Sequence, residues 1–88
     1  MGLYSQPHLY WSYTKMIEVR LFATFRQGRE KIYRFDASEY ETVSDILRKL
    51  DIPEKEVAIL LVNGFHSKCD VKVKDGDILS LFPPVAGG

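Results

Sequence analysis

The sequence feature that most constrains the fold is a single amphipathic helix pattern with strand patterns on both sides. Its apolar side chains recur at positions i, i+3, i+4 and i+7, which form one stripe along a helix. These residues are Val43, Ile46, Leu47 and Leu50. A helix with one apolar stripe packs across one face of a sheet, and a chain of 88 residues has room for one small domain of this kind.

The residues at the two ends of this helix predict where it begins and ends. Thr42 is expected to be the N-cap, and Asp45 occupies the acidic position of a capping box. Asp45 and Lys49 are spaced i, i+4 in the order that favours an ion pair. Pro53 is expected to end the helix, because it biases the preceding Ile52 toward extended backbone.

The segment before the helix predicts an antiparallel hairpin. Residues 16–25 alternate with period two and predict a strand. Its apolar face consists of Ile17, Val19, Leu21, Ala23 and Phe25. A short turn, in which Gly28 can adopt positive φ, leads to a partner strand at residues 31–37. The buried face of this second strand stays open, because apolar side chains lie on both of its faces.

The segment after the helix predicts a second pair of strands and a last one. Residues 58–62 form a strand that ends in an Asn-Gly turn, and a short, poorly patterned segment follows at residues 65–73. An Asp-Gly-Asp turn then precedes the last strand, residues 78–82. Linking the two halves through a helix lets the first and last strands pair in parallel at the sheet centre. We therefore expect an α+β fold with a mixed four- to five-stranded sheet and one helix across one face.

Composition excludes several classes of function. The 12 Lys and Arg residues balance the 12 Asp and Glu residues, so no global field would attract nucleic acid or a membrane surface. The longest apolar run, residues 58–62, is too short to span a bilayer. With one cysteine and two histidines, neither an internal disulfide framework nor a metal site is expected, and the cytoplasm is the expected location. Cys69 is expected to be a small buried hydrophobe, with a persulfide carrier as the alternative.

The first fifteen residues differ in character from the rest of the chain. They contain Tyr4, Tyr10, Trp11 and Tyr13, have Lys15 as their only charged side chain, and lack the apolar core of a signal peptide. We interpret residues 1–15 as an extension that is disordered or follows from an early start codon, ahead of a domain at residues 16–82. The alternative is an aromatic arm that packs on the domain or on a partner.

The last six residues, 83–88, predict an extended functional tail. They contain no charged side chain, so the Gly88 carboxylate is the only charge in this segment. Pro83 and Pro84 fix φ and direct the chain away from the sheet. Gly87 and Gly88 lack Cβ and can enter a narrow channel. From Pro84 to Gly88 the extended reach is at most roughly 17 Å.

This order of elements and this ending resemble a known family. The segments "MIEVRLFATFR", "LVNG" and "DGDILSLFPPVAGG" (residues 16–26, 61–64 and 75–88), together with the helix stripe, are similar to the MoaD/ThiS group of ubiquitin-like β-grasp sulfur carriers. The ending is most similar to that of the molybdopterin synthase small subunits. The resemblance covers nearly all of residues 16–88, whereas the aromatic extension has no counterpart and residues 65–73 match poorly.

The resemblance implies a carrier protein rather than an enzyme. In the family, an ATP-dependent partner adenylates the terminal carboxylate, here Gly88 next to Gly87, and converts it to a thiocarboxylate that donates sulfur. The carrier then docks into the molybdopterin synthase large subunit, where two sulfurs become the dithiolene that binds molybdenum or tungsten. It binds no cofactor of its own, since ATP is used by the partner. The residues expected to contact partners are Phe82, Pro83, Pro84, Val85, Ala86, Phe22 and Leu61.

Strand parity gives a second reason for this choice of contact residues. If Leu79 and Leu81 face the helix, Phe82 faces outward, and Phe22 and Leu61 share that outer face. An apolar patch beside the tail root would bind partners. The alternative is that the two phenylalanine rings only cover each other.

Three other functions compete with molybdopterin synthesis. The chain could supply sulfur for thiamine or for another biosynthetic pathway. It could instead be a ubiquitin-like protein modifier that is joined to lysine amines through Gly88. The last alternative is a binding domain whose tail has no role.

Overall fold

The computed structural model describes residues 15–84 of the chain. The strands are β1 (Met16–Leu21), β2 (Ile32–Asp36), β3 (Ile59–Val62), β4 (Phe65–His66) and β5 (Ile78–Phe82), and the helix is α1 (Val43–Leu50). They form one five-stranded sheet in the order β2-β1-β5-β3-β4. The predicted mixed sheet with one helix is therefore confirmed. Residues 1–14 and 85–88 lie outside the described residues, so the predictions about the extension, the tail and the domain limits stay predictions.

The centre of the sheet is the parallel pair of β1 and β5. Val19 lies opposite Leu79, and Leu21 lies opposite Leu81. The outer neighbours β2 and β3 are both antiparallel to this pair. The predicted helix stripe is buried against the inward side chains of the sheet, and the core consists of Ile17, Val19, Leu21, Phe25, Val43, Ile46, Leu47, Leu50, Ile52, Leu60, Leu79 and Leu81. The first and last strands of the domain thus share one core.

The N-terminus of α1 has the predicted capping box but a different ion pair. The Asp45 carboxylate accepts hydrogen bonds from the backbone N–H groups of Thr42 and Glu41, each at 3.0 Å. These hydrogen bonds, that from Thr42 first, hold the pKa of Asp45 below its usual value. The predicted pair with Lys49 is wrong, because Asp45 Oδ2 is held by the two backbone donors and Oδ1 accepts from Arg48, one turn along the helix.

The helix ends before Pro53 can end it, so that prediction is wrong about the cause. Asp51 adopts the left-handed conformation with φ of 60° and terminates α1 after Leu50. The N–H of Asp51 donates to Arg48 O at 3.1 Å and the N–H of Ile52 donates to Leu47 O at 2.9 Å, which is the hydrogen-bond pattern of a Schellman motif.

The first strand is shorter than the alternation predicts. β1 ends at Leu21, and a 3₁₀ turn follows at Ala23–Arg26. Ala23 is exposed with φ of 54°, so its predicted place on the inward face is wrong. Phe25 is buried as predicted, but the turn rather than the strand returns its ring to the core. On β2 the open question of the buried face is settled, because Tyr33 and Phe35 pack against the core.

Two turns at one end of the sheet are joined by a buried carboxylate. Asn63 and Gly64 adopt φ of 53° and 88°, as expected for a tight hairpin turn. The side chain of Asp77 is 4% exposed. It accepts hydrogen bonds from Lys74 N–H at 2.8 Å and from the Asn63 side-chain amide at 2.9 Å. The Asn63 amide oxygen in turn accepts from Ile78 N–H at 2.9 Å, which fixes the start of β5.

Replacing Asp77 with alanine is expected to destabilise the domain. The change leaves a backbone N–H and an amide donor without a partner in a buried place, and each such group costs about 1–3 kcal/mol. We expect the free energy of unfolding in urea to fall by about 2–3 kcal/mol. The control is Asp75→Ala in the same turn, which is exposed and should change stability by less than about 0.5 kcal/mol. Equal effects of the two substitutions would contradict a structural role for the Asp77 carboxylate.

Candidate functional site

The C-terminal strand delivers the tail from the middle of the sheet. Leu79 and Leu81 are fully buried, whereas Ile78, Ser80 and Phe82 are half-buried on the opposite face. The predicted parity of β5 is therefore confirmed, and we call the face that carries Phe82 the outer face. Because β5 lies between β1 and β3, the root of the tail is held by hydrogen bonds on both edges of the strand.

The aromatic rings beside the tail root stack on each other. The ring centroids of Phe22 and Phe82 are 4.4 Å apart and their planes differ by 10°. Phe22 N–H donates to Leu81 O at 3.2 Å, which holds the end of β1 against β5. The Arg26 guanidinium lies over the Phe22 ring, 5.2 Å from its centroid, and Arg26 Nε donates to Leu21 O at 2.8 Å. The two rings do cover each other, and both remain half-buried.

Two residues of β3 extend this aromatic pair into a larger apolar surface. Ile59 lies opposite Phe82 and is 40% exposed. Leu61 lies opposite Ser80 and is half-buried. We call Phe22, Ile59, Leu61 and Phe82 the outer apolar surface. The sequence analysis missed Ile59, although strand parity could have found it, since Ile59 shares the parity of Leu61 in the strand that buries Leu60.

The part of the outer face farthest from the tail is charged. The Glu18 carboxylate on β1 accepts from Arg20 Nε at 2.6 Å and lies 3.5 Å from Arg34 Nη2 on β2. Surface ion pairs of this kind stabilise a fold only slightly. The outer face is therefore apolar near the tail root and charged near the β2 edge, which gives a docking partner a defined orientation.

Immediately beyond Phe82, Pro83 is half-buried and Pro84 is exposed. Val85, Ala86, Gly87 and Gly88 lie outside the described residues. Their predicted roles, and the partner contacts predicted for the two prolines, stay predictions.

The remaining chemical groups of the described chain form no reaction centre. Burial raises the pKa of the half-buried Cys69 thiol, which favours the neutral thiol over the reactive thiolate. Its backbone oxygen accepts from Ser44 N–H at 2.9 Å and from Ser44 Oγ at 3.0 Å, so this loop caps α1. Within residues 15–84 no group of three or more His, Cys, Asp or Glu side chains could hold a metal ion. In the same part of the chain, no helix has the length and apolar character needed to cross a membrane.

Comparison with known proteins agrees with this arrangement. The ThiS family profile matches residues 19–88. The chain belongs to the ThiS family. Small archaeal modifier protein 3 of Haloferax volcanii is 35% identical over 91 aligned positions, which cover 82% of this chain and 98% of that protein. ThiS-family proteins are small ubiquitin-like carriers and modifiers that work with partner subunits, so the chain is a carrier or modifier and not an enzyme.

Solved structures confirm the β-grasp fold. SAMP1 from Haloferax volcanii is similar with a TM-score of 0.64 and 27% identity, over 83% of this chain and 99% of SAMP1. A chain in the complex of subunits 1 and 2 of the molybdopterin-converting factor from Helicobacter pylori is similar with a TM-score of 0.57 and 26% identity. That match covers 83% of this chain and 99% of the Helicobacter pylori chain.

Proposed function

We propose that this ThiS-family protein carries sulfur as a thiocarboxylate on Gly88 and donates it in molybdopterin synthesis. The observation that carries the proposal is the position of β5. The central strand leads through Phe82 directly into the Pro83–Pro84 step, beside the outer apolar surface. The family match includes Gly88, which supports the same end as the loaded group.

The chemistry requires a tail that enters the active sites of other proteins. A carboxylate is a poor electrophile, so the partner joins a Gly88 oxygen to the α-phosphorus of ATP and releases pyrophosphate. A sulfur nucleophile then attacks the carbonyl carbon of this mixed anhydride, AMP leaves with the electron pair of the broken C–O bond, and a thiocarboxylate remains. The anhydride must be kept from water, so both steps belong in closed sites of the partner.

The chain contributes reach and low resistance to entry. The two prolines limit the conformations that residues 83–88 can lose on insertion. The absence of charged side chains in this segment avoids the desolvation cost that a Lys or Glu would bring into a closed site. The two glycines lack the Cβ that a narrow channel would exclude.

The outer apolar surface supplies the docking contact in this proposal. The complex of subunits 1 and 2 of the Helicobacter pylori molybdopterin-converting factor contains a chain with this fold. We therefore propose a large subunit of that kind as the receiving partner and an ATP-dependent adenylating enzyme as the loading partner. Phe22, Leu61 and Phe82 are the proposed contacts, and Ile59 is added to them by its exposure.

A second function is favoured by the archaeal relative. The 35% identical Haloferax volcanii protein is named a modifier. A modifier would use the same adenylated Gly88, but a lysine amine would replace the sulfur nucleophile and an isopeptide bond would form. Both functions need the same tail, and they differ only in the nucleophile.

The intact mass of the loaded protein distinguishes these functions. The full chain is incubated with ATP, the adenylating enzyme of the same organism and a sulfide donor. We expect the mass gain of one sulfur replacing one oxygen, lost again on treatment that hydrolyses thiocarboxylates. The matched control is Gly88→Leu, which should stay unloaded because its side chain obstructs the channel. Species linked to lysine would favour the modifier, and an unchanged mass with active enzyme would contradict both functions.

Phe82→Glu is expected to weaken docking without unfolding the domain. The ring is half-buried on the outer face, so a carboxylate can reach water in the free protein but not in a docked complex. Loss of a central interface aromatic costs about 1.4 kcal/mol or more, so the Kd for the large subunit should rise at least ~10-fold by calorimetry.

The control for this substitution is Phe65→Glu. Phe65 is 77% exposed on the edge strand β4, outside the outer apolar surface, and its replacement should leave the Kd unchanged. Both variants should keep the far-UV circular dichroism of the parent chain. An unchanged Kd for Phe82→Glu would remove the outer apolar surface from the docking site.

A further inference from the structure

A groove of about 440 Å³ lies on the helix side of the sheet, away from the outer apolar surface. It is bounded by the C-terminal end of α1 and by β2, and its aromatic wall is formed by Tyr33 and Phe35. The centroids of these two rings are 5.9 Å apart and their planes differ by 7°. The exposed side chains of Lys49 and Asp51 also line it. The groove thus combines half-buried aromatic rings with a charged rim.

The aromatic wall continues toward the start of the described chain. The Phe35 ring contacts the Tyr40 ring, with centroids 5.2 Å apart and planes tilted by 60°. We call Tyr33, Phe35 and Tyr40 the aromatic row. β2 is an edge strand of the sheet, so no further strand borders this row. Ala37 N–H at the end of β2 donates to Lys15 O at 2.7 Å, so residues 1–14 join the domain beside the row.

The composition of residues 1–14 suits such a groove. The segment contains four aromatic side chains and no charged one, so its burial requires no desolvation of charge. Tyrosine and tryptophan present an apolar ring and a polar tip, which matches an aromatic wall with a charged rim. The ThiS family match begins at residue 19, so the segment lies outside the part of the chain that matches the family.

We propose that residues 1–14 fold back along β2 and pack their aromatic side chains against the aromatic row in this groove. Lys15 lies in a turn immediately before β1, where the chain can reverse. From Ala37 to Tyr33 the row extends about 13 Å, at ~3.4 Å per strand residue. An extended segment of 14 residues reaches roughly 45 Å, so it can span the groove. This arm covers the helix side of β2 and leaves the outer apolar surface free, so it is independent of the proposed sulfur transfer.

Trp11 makes the proposal directly measurable, because it is the only tryptophan of the chain. In the full-length protein we expect its emission to be blue-shifted and its quenching by acrylamide to be several-fold weaker than in the same chain in urea. In a nuclear Overhauser spectrum, its indole protons should show cross-peaks to the ring protons of Tyr33 or Phe35. An indole that is quenched as strongly as in urea and shows no such cross-peaks would overturn the proposal.

A pair of matched substitutions tests the location of the arm. Phe35→Leu keeps an apolar side chain but removes the ring from the row, so acrylamide should quench Trp11 several-fold more strongly. Phe65→Leu removes the exposed ring on the opposite edge strand and should leave the quenching unchanged. If Phe35→Leu does not fold, the cross-peaks of the unchanged chain still decide. Equal responses to the two substitutions would also overturn the proposal.

A mixed sample separates the arm from a second copy of the chain. One half of the protein is labelled with ¹³C and ¹⁵N and the other half is unlabelled, and an isotope-filtered spectrum selects contacts between copies. We expect no filtered cross-peaks, because the arm belongs to the domain on which it packs. Filtered cross-peaks between Trp11 and the aromatic row would show an exchanged arm and would contradict the intramolecular proposal.

Discussion

The parallel pairing of β1 with β5 is the constraint on which the rest of the structure depends. It places Leu79 and Leu81 opposite Val19 and Leu21 in the fully buried core, although these residues are far apart in the sequence. A parallel pair needs a crossover, and the crossover carries α1, whose single stripe covers the face that the pair creates. The same pairing fixes the direction of the last strand. The chain therefore leaves the sheet at its most firmly held strand, and the proposed functional end is anchored by the core itself.

The sequence predicts those parts of the fold that follow from periodicity. The helix stripe at Val43 and Leu50, the parity of β5 and the turn at Asn63 each depend on neighbours that are close in sequence, and each is confirmed. The errors occur where tertiary contacts compete with local preference. The alternation that continues past Leu21 is interrupted because Phe25 enters the core from a 3₁₀ turn. The left-handed Asp51 has no strong local signal, and the carbonyl oxygens of Leu50 and Asp51 accept from the Arg29 side chain, 21 and 22 residues earlier in the chain.

The candidate site was predictable to the same extent and for the same reason. Parity alone put Phe82, Phe22 and Leu61 on one face, because alternation fixes the face of every residue in a strand. It did not reveal the stacking of the two rings, which depends on where β1 ends, nor the exposure of Ile59, which depends on the edge position of β4. The aromatic row on β2 also needed the structure, since apolar side chains occur on both faces of that strand. The outer apolar surface and the aromatic row thus lie on opposite faces of one sheet, and each can act without the other.

The central claim is that the domain holds out a free Gly88 carboxylate for other proteins to load and unload. The most direct test appends one leucine after Gly88 and measures molybdopterin formation in a host that cannot remove it, beside a chain with one leucine added before Met1. The account predicts that the C-terminal addition abolishes product formation, because the carboxylate is displaced and the channel is obstructed, while the N-terminal addition has no effect. Undiminished product from the chain extended at Gly88 would contradict the account.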